Sequence, residues 1–383
     1  MRIVVAMSGG VDSSTVAGLL REAGHEVVGI TLQLYDHGAA TGKKGACCAG
    51  QDIHDARRVA DHLGIPHYVV DAEARFSRMV IDAFADDYAR GETPVPCVQC
   101  NMGVKFPDLL TLARDLGAER LATGHYVRRV DGPDGPELHR AIDPARDQSW
   151  FLFGTTRQQL AFTLFPLGEM PCKDAVRAEA ARLGLPVAEK ADSQDICFVP
   201  SGSYADLVSR LRPDAAEPGE IVSSDGRVLG RHNGIARFTV GQGKRLGAAA
   251  SDHGQKQVVV ALDASRRRVV VGPRTTGSRV VAVRDINWLV PPPRDVLRCE
   301  VKLRAREQPH PAAVHVWGSK GEVCLDSPSL AAPGQACVFY DGTRVIGGGF
   351  VDRQAEAAVA VDASRLAGLS PRPLPTGGGV AQR

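Results

Sequence analysis

The chain has 383 residues, a formal charge of +2, nine cysteines and 5% aromatic residues. That length predicts two or three domains with a sizeable core. The small net charge excludes a global basic field, and the few aromatic residues exclude broad base-stacking platforms, so any nucleic-acid site must be a local patch. No apolar run is long enough to span a bilayer, and the chain enters a strand at once, so neither a membrane anchor nor an export signal is expected. Thiols in a chain without an export signal point to a reducing cytoplasm.

Arg2–Ala6 has the composition of a strand, and residues 15–21 carry apolar side chains at helical spacing up to Gly24. Between them runs Ala6-Met7-Ser8-Gly9-Gly10-Val11-Asp12-Ser13-Ser14. Two glycines let backbone approach an anion, the serines add hydroxyl donors, and the new helix offers free N–H groups. The stretch reads as a phosphate cradle in a strand-to-helix turn, where a doubly wound sheet places its ligand. It lacks both the Walker Lys-Ser/Thr ending and a G-x-G-x-x-G.

A second strand is expected over residues 26–34, then a mobile loop over 36–50 holding Cys47-Cys48. A helix over 51–63, a third strand at His67–Asp71 and a helix over 74–90 follow. Pro94 and Pro96 predict a non-helical stretch through Asn101, with a helix resuming over 105–116. A fourth strand over 120–123 ends in Gly124-His125-Tyr126. This alternation predicts an α/β domain with a doubly wound parallel sheet. Residues 131–147 are turn-rich, and short helices are expected near 156–163 and 173–183. Composition shifts after Leu211, residues 213–219 read as a linker, and short β-like runs dominate beyond. The expected division is a catalytic domain over 1–211, a small β-rich domain over 212–275, a C-terminal β-barrel over 276–353, and a disordered tail over 354–383.

Cys100 is expected in a Pro-bounded loop ahead of a helix, where the helix dipole and Lys105 would lower its pKa; a buried inert thiol is the alternative. Cys197 lies in the segment Asp192 to Val199, where a core position is the alternative. Two thiols and a phosphate cradle in one domain carry more weight than either thiol alone. Cys97 and Cys100 form a C-x-x-C, open between a redox pair, half a zinc site and chance spacing, and no second pair completes a zinc site. With Cys197 they could hold an iron–sulfur cluster with one open position. His125 could touch a ligand or serve packing. Residues 263–310 hold eleven Lys and Arg against five Asp and Glu, either a phosphate-backbone patch or a solvated face.

Ser8-Gly9-Gly10-Val11-Asp12-Ser13 resembles the PP-loop of ATP pyrophosphatases, which cleave ATP between the α and β phosphates. Taken with Thr93 to Asn101, Lys105-Phe106, Ala122 to Tyr126, Asp147-Gln148-Ser149, Asp192 to Phe198, Thr239 to Gln242, Pro333-Gly334-Gln335 and Phe339-Tyr340, the chain resembles the tRNA-specific 2-thiouridylases over residues 1–352. The resemblance implies a HUP-like first domain. It places ATP, with Mg²⁺, on Ala6, Met7, Ser8, Gly9, Gly10, Val11, Asp12 and Ser13, with Leu32 and Gly124 flanking the nucleotide. It implies adenylation of the 2-carbonyl oxygen of the wobble uridine, a persulfide on Cys197, and attack by Cys100 that leaves a disulfide and frees sulfur for the base. A cysteine desulfurase or a sulfur-carrier protein would supply that sulfur. Val95, Pro96 and Cys97 match the target-base loop, and His125, Arg146, Asp147, Gln148, Arg304, Ala305 and Gln335 match tRNA contacts. Lys, Glu and Gln tRNAs are the implied substrates.

Two departures stand out: Cys97 where many members carry Asp, and Asp195 where many have Gly, which would raise the Cys197 pKa. Two rival readings remain. A PP-loop ligase or amidotransferase for a small metabolite would need neither the thiols nor the C-terminal β units. A tRNA-binding sulfur carrier with a degenerate ATP site would release no pyrophosphate.

Overall fold

β1 (Arg2–Ala6) lies in the middle of a parallel sheet, and its unbroken run of apolar residues follows from burial on both faces. The computed structural model describes residues 1–35, 48–192, 196–199 and 203–353. Most of the expected loop over 36–50, Asp195 and the tail from 354 lie outside the described residues. β1 pairs in parallel with β2 (Glu26–Gln33) and β4 (Arg120–Ala122); β3 (His67–Asp71) and β7 (Thr163–Leu164) complete the order β3-β2-β1-β4-β7. Val4 packs with Ile30, Leu109 and Leu121 on one face, and Ile3 and Val5 pack with Val16 and Ala17 of α1 (Val11–Glu22) on the other. Strand order reverses beside β1, so the crevice opens between the turns that follow β1 and β4.

α2 (Cys48–Leu63) follows β2, and a continuous helix, α3, spans residues 73–89 with a π segment at Ser77–Asp82. The stretch expected to stay non-helical through Asn101 does not. α4 begins at Pro96 and runs to Asp115 through a π segment, Asn101–Lys105. Pro96 occupies the first helical position, where its missing N–H removes no hydrogen bond. The prolines therefore set the start of the helix rather than delaying it, and Cys97 and Cys100 lie in its first turn. α5 (Arg157–Phe162), α6 (Lys173–Arg182) and α7 (Tyr204–Leu211) complete the labelled helices.

The residues expected to form a linker fold against the first unit. Ala215 is buried with Phe76, Phe84 and Val208, and β8 (Pro218–Ser223) begins at once. β8 joins β9 (Val228–Asn233), β10 (Ser251–Asp252), β11 (Gln255–Asp263) and β12 (Arg268–Pro273) in the order β10-β11-β12-β8-β9. β13 (Ser278–Trp288), β14 (Leu297–Lys302), β15 (His310–Trp317), β16 (Lys320–Ser329), β17 (Ala336–Asp341) and β18 (Arg344–Val351) form a barrel, closed where β13 pairs with β18.

Part of the turn-rich stretch over 131–147 belongs to a hairpin, β5 (Val127–Gly132) and β6 (Gly135–Arg140), which adds to the barrel's edge. His139 pairs with Arg344 and Leu138 with Val345. One apolar core therefore runs from Val4 and Leu121 through Leu138, Trp150 and Phe153 to Val338, Tyr340 and Phe350. Leu138 is 0% exposed within it, whereas Val130, on the same hairpin, is 36% exposed. Leu138→Ala is expected to destabilise the protein by about 2–5 kcal/mol in denaturant melts, and Val130→Ala by about 0.5 kcal/mol or less.

Candidate active site

The turn after β1 is held open from behind. The Met7 N–H donates to the Ile30 carbonyl at 2.8 Å, continuing the strand pairing, and the Ser8 N–H donates to Ser13 Oγ at 3.0 Å. Gly9 has φ +72°, and a Cβ there would stand 2.1 Å from the Asp52 carbonyl, so this position demands glycine. Lys190 Nζ donates to the Gly9 carbonyl at 3.0 Å while held by Asp52 and Asp55, each at 2.7 Å. Burial works against that ammonium's charge, but the two carboxylates outweigh it and keep the pKa raised. In a trans peptide the carbonyl and the following N–H point oppositely, so Lys190 aims the Gly10 N–H away from α2. Among the described residues the Gly9 and Gly10 N–H groups have no partner, and Gly10 caps α1 without a side-chain acceptor. The result is a concave set of free donors at a helix N-terminus, suited to an anion.

The other candidate nucleotide residues surround this turn. Ala6 ends β1, while the side chains of Met7 and Val11 are buried in the core. Leu32 lies near the end of β2, half-buried. A Cβ on Gly124 would stand 2.9 Å from the Ser13 nitrogen, so the turn after β4 closes on α1 only as glycine.

Asp12 is the charged centre. Both its oxygens accept from Lys173 Nζ, at 2.7 and 2.8 Å, and Tyr126 Oη donates to Oδ1 at 2.5 Å. Lys173 also holds Asp192 at 2.8 Å, and Arg146 pairs with the other Asp192 oxygen at 2.8 Å. Burial pushes the Asp192 carboxyl up, but Lys173 and Arg146 outweigh it and the pKa is lowered. Sequence reasoning missed Lys173, Lys190 and Tyr126. Tyr126 at least closes the motif Ala122 to Tyr126, and Lys190 stands two residues before the motif that leads to Cys197; Lys173 opens a helix and carries no local signal.

The thiols lie around a half-buried cation. Lys105, on the π segment of α4, interacts electrostatically with Cys100, Cys197 and Cys97, whose anionic forms raise its pKa against burial. The expectation of a depressed Cys100 pKa is overturned: burial in the helix's first turn raises it, and Lys105 opposes this only in part. Cys197 is solvent-exposed, yet desolvation by the surrounding protein pushes its pKa up to about 11, again against Lys105. His125 stacks on Phe106 with centroids 6.2 Å apart, and its Nδ1 lies 3.0 Å from Thr123 Oγ1. Burial and Lys105 lower its pKa to about 3, so the imidazole is neutral at physiological pH. Among the described residues no three His, Cys, Asp or Glu side chains are grouped to hold a metal ion. Cys97, Cys100 and Cys197 thus present no preformed cluster site.

The candidate tRNA residues divide by what their polar groups already do. Val95 is buried, while Pro96 and exposed Cys97 begin α4. Asp147 accepts from the Ala141 and Ser149 N–H groups and from Ser149 Oγ, so its carboxylate organises its own turn. Gln148 Oε1 accepts from the Tyr126 N–H at 2.9 Å, and Gln335 Nε2 donates to the Thr93 carbonyl at 2.9 Å. Arg304 donates to the Leu330 carbonyl at 2.8 Å, and Ala305 is half-buried beside it. Within the basic run, Arg266, Arg267, Arg268, Arg284 and Arg298 each pair with a carboxylate, which reduces the free charge.

Alkylation of Cys197 by iodoacetamide, read by peptide mass spectrometry, is expected to be slow at neutral pH and to rise through about pH 11. Lys105→Met should shift that profile to still higher pH, because it removes the charge that favours the thiolate.

Three family models match the chain. They are described as the tRNA methyl transferase HUP domain over residues 1–201, the tRNA methyl transferase PRC-barrel domain over 206–273, and the aminomethyltransferase β-barrel domain over 278–351. The tRNA-specific 2-thiouridylase MnmA of Acidiphilium cryptum is 70% identical, covering 92% of this chain and 100% of its own. The proteins of the same name from Gluconobacter oxydans and Rhodospirillum centenum are 62% and 58% identical, covering 92% and 99% of this chain and 99% and 96% of their own. Identity of this depth, sustained through all three matched units, makes the chain a member of the tRNA-specific 2-thiouridylase family.

Proposed function

We propose that the protein uses ATP to replace the 2-oxygen of a tRNA uridine, the wobble uridine at position 34, with sulfur. The observation that carries this reading is the joining of a free-donor cradle to two thiols around one half-buried cation, within a chain of this family.

ATP lies with its phosphates on the turn from Ser8 to Ser13 and its nucleoside between Leu32 and Gly124. The uridine 2-oxygen attacks the α-phosphorus, the bond to the β-phosphate oxygen breaks, and pyrophosphate leaves with that electron pair. The Gly9 and Gly10 N–H groups and the α1 N-terminus meet the developing charge. Asp12, with 32% of its side chain exposed, is the residue that fits a Mg²⁺ carried in by the nucleotide. That ion would add charge neutralisation at the phosphates.

Cys197 carries the incoming sulfur as a persulfide, received from a cysteine desulfurase or a sulfur carrier. The Cys100 thiolate attacks the Cys197 sulfur and displaces hydrosulfide, which adds to C2 of the adenylated uridine. AMP leaves, and a Cys100–Cys197 disulfide remains to be reduced. Neutral thiols are poor nucleophiles, and both pKa values are raised, so Lys105 is the group that favours the anionic sulfur when it is needed. Neutral His125 serves as a hydrogen-bonding and stacking surface rather than as an acid.

The division into a catalytic unit over 1–211, a central unit over 212–275 and a tRNA-contacting barrel over 276–353 belongs to the same proposal. So do tRNA contacts by Val95, Pro96, Cys97, His125, Arg146, Gln148, Arg304 and Ala305, with Asp147 and Gln335 positioning their neighbours. Lys, Glu and Gln tRNAs are the proposed substrates and the cytoplasm the proposed location. No helix among the described residues is long and apolar enough to cross a membrane.

Nucleoside mass spectrometry of tRNA incubated with ATP, a persulfide source and the protein tests the reading; 2-thiouridine should appear. Cys100→Ser and Cys197→Ser should each abolish it, and Asp12→Ala should abolish pyrophosphate release while tRNA binding stays within about twofold, since it removes no tRNA contact. Thiolation that survives both cysteine variants would overturn the proposal.

A further inference from the structure

Lys173 belongs to none of the motifs, yet it is the best-enclosed cation at the cradle. Only 7% of its side chain is exposed. Its three protons are directed at both Asp12 oxygens, 2.7 and 2.8 Å away, and at Asp192, 2.8 Å away, with the Tyr126 ring centroid at 5.8 Å. Asp192 is held as well by Arg146 at 2.8 Å and Arg177 at 3.4 Å, so three cations face two carboxylates. Lys190, the other lysine on the loop, is placed differently: two carboxylates neutralise it, and it meets the outer side of the turn at the Gly9 carbonyl.

We propose that Lys173 is the protein's cation for the β- and γ-phosphates of ATP, held between Asp12 and Asp192 until the nucleotide arrives. The inference rests on the reading of this turn as an ATP site. Phosphates seated on residues 8–13 bring negative charge up to Asp12. Like charges about 4 Å apart repel by about 1–4 kcal/mol at effective dielectric constants from water to protein surface. A cation already bonded to Asp12 bridges carboxylate and phosphate by rotating its side chain. Lysine suits this better than arginine, since its ammonium is a compact charge on a flexible stem. The exchange leaves no buried charge unpaired: Asp192 keeps Arg146 and Arg177, and Asp12 keeps Lys173, which bridges it to the phosphate, together with the Tyr126 hydroxyl bond. When the bond between the α-phosphorus and the bridging oxygen breaks, its electron pair passes to pyrophosphate, and Lys173 stabilises the oxygens that receive it.

The test compares ATP with AMP binding, together with tRNA-dependent pyrophosphate release, in the full-length protein and in Lys173→Met and Lys173→Arg. Lys173→Met is expected to weaken ATP about tenfold or more, to leave AMP within about twofold, and to slow pyrophosphate release about a hundredfold. Lys173→Arg should recover part of each loss. A second variant, Lys173→Gln, removes the charge but keeps an N–H donor for the Asp12 carboxylate that Lys173→Met strands, and should keep the same split between ATP and AMP. Parallel losses of ATP and AMP binding, or unchanged ATP binding in folded protein, would overturn the inference. A wild-type protein that binds ATP no better than AMP and releases no pyrophosphate would instead overturn the ATP reading itself, and the inference with it.

Discussion

Much of the site depends on one contact, the pairing of Lys173 with Asp12 and Asp192. Asp12 stands at the start of α1, and Asp192 stands five positions before Cys197. A single ammonium bonded to both ties the phosphate turn to the segment that carries a thiol. Lys190 repeats the tie from the other side, through the Gly9 carbonyl. Burying such charges is favourable only when every member is paired, and here the two carboxylates share the available cations without an orphan. The turn after β1 and the segment that carries Cys197 are therefore tied to each other through the side chains of Lys173 and Lys190.

The second thiol is placed by a different device. α4 starts where the barrel lets it start. The Thr93 N–H donates to the Pro333 carbonyl at 2.7 Å, and Gln335 returns a bond to the Thr93 carbonyl at 2.9 Å. Gly334, at φ +87°, passes so close that a Cβ would lie 3.1 Å from Thr93 backbone. Arg284 of β13 adds an ion pair to buried Glu92 at 3.0 Å. Since the hairpin of β5 and β6 also extends the barrel and shares its core, the barrel is part of the frame that fixes Cys97 and Cys100.

Burial and charge oppose each other at the thiols. Removing a sulfur from water favours the neutral thiol, whereas a nearby ammonium favours the thiolate. For both Cys100 and Cys197 desolvation outweighs Lys105, so the resting site favours the neutral thiol at each. Reactivity then depends on what binds beside them. The same burial keeps His125 neutral, which preserves Lys105 as the local positive charge.

The sequence by itself determined the strand-to-helix turn after β1, the parallel α/β unit and the β-rich second half, because strand period and glycine pairs are local properties. It misjudged the start of α4, since Pro96 reads equally as a helix breaker and as a first helical residue. It read part of the β5–β6 hairpin as turns, because the strand that completes it lies some two hundred positions later, at β18. Only the tertiary structure decided that Lys173 reaches Asp12 across 161 positions and that Lys190 reaches Gly9 across 181. Contacts of that separation leave no periodic trace in either partner's neighbourhood. The direction of the thiol pKa shifts was decided there too, because burial is a property of the folded chain and not of any residue's neighbours in sequence.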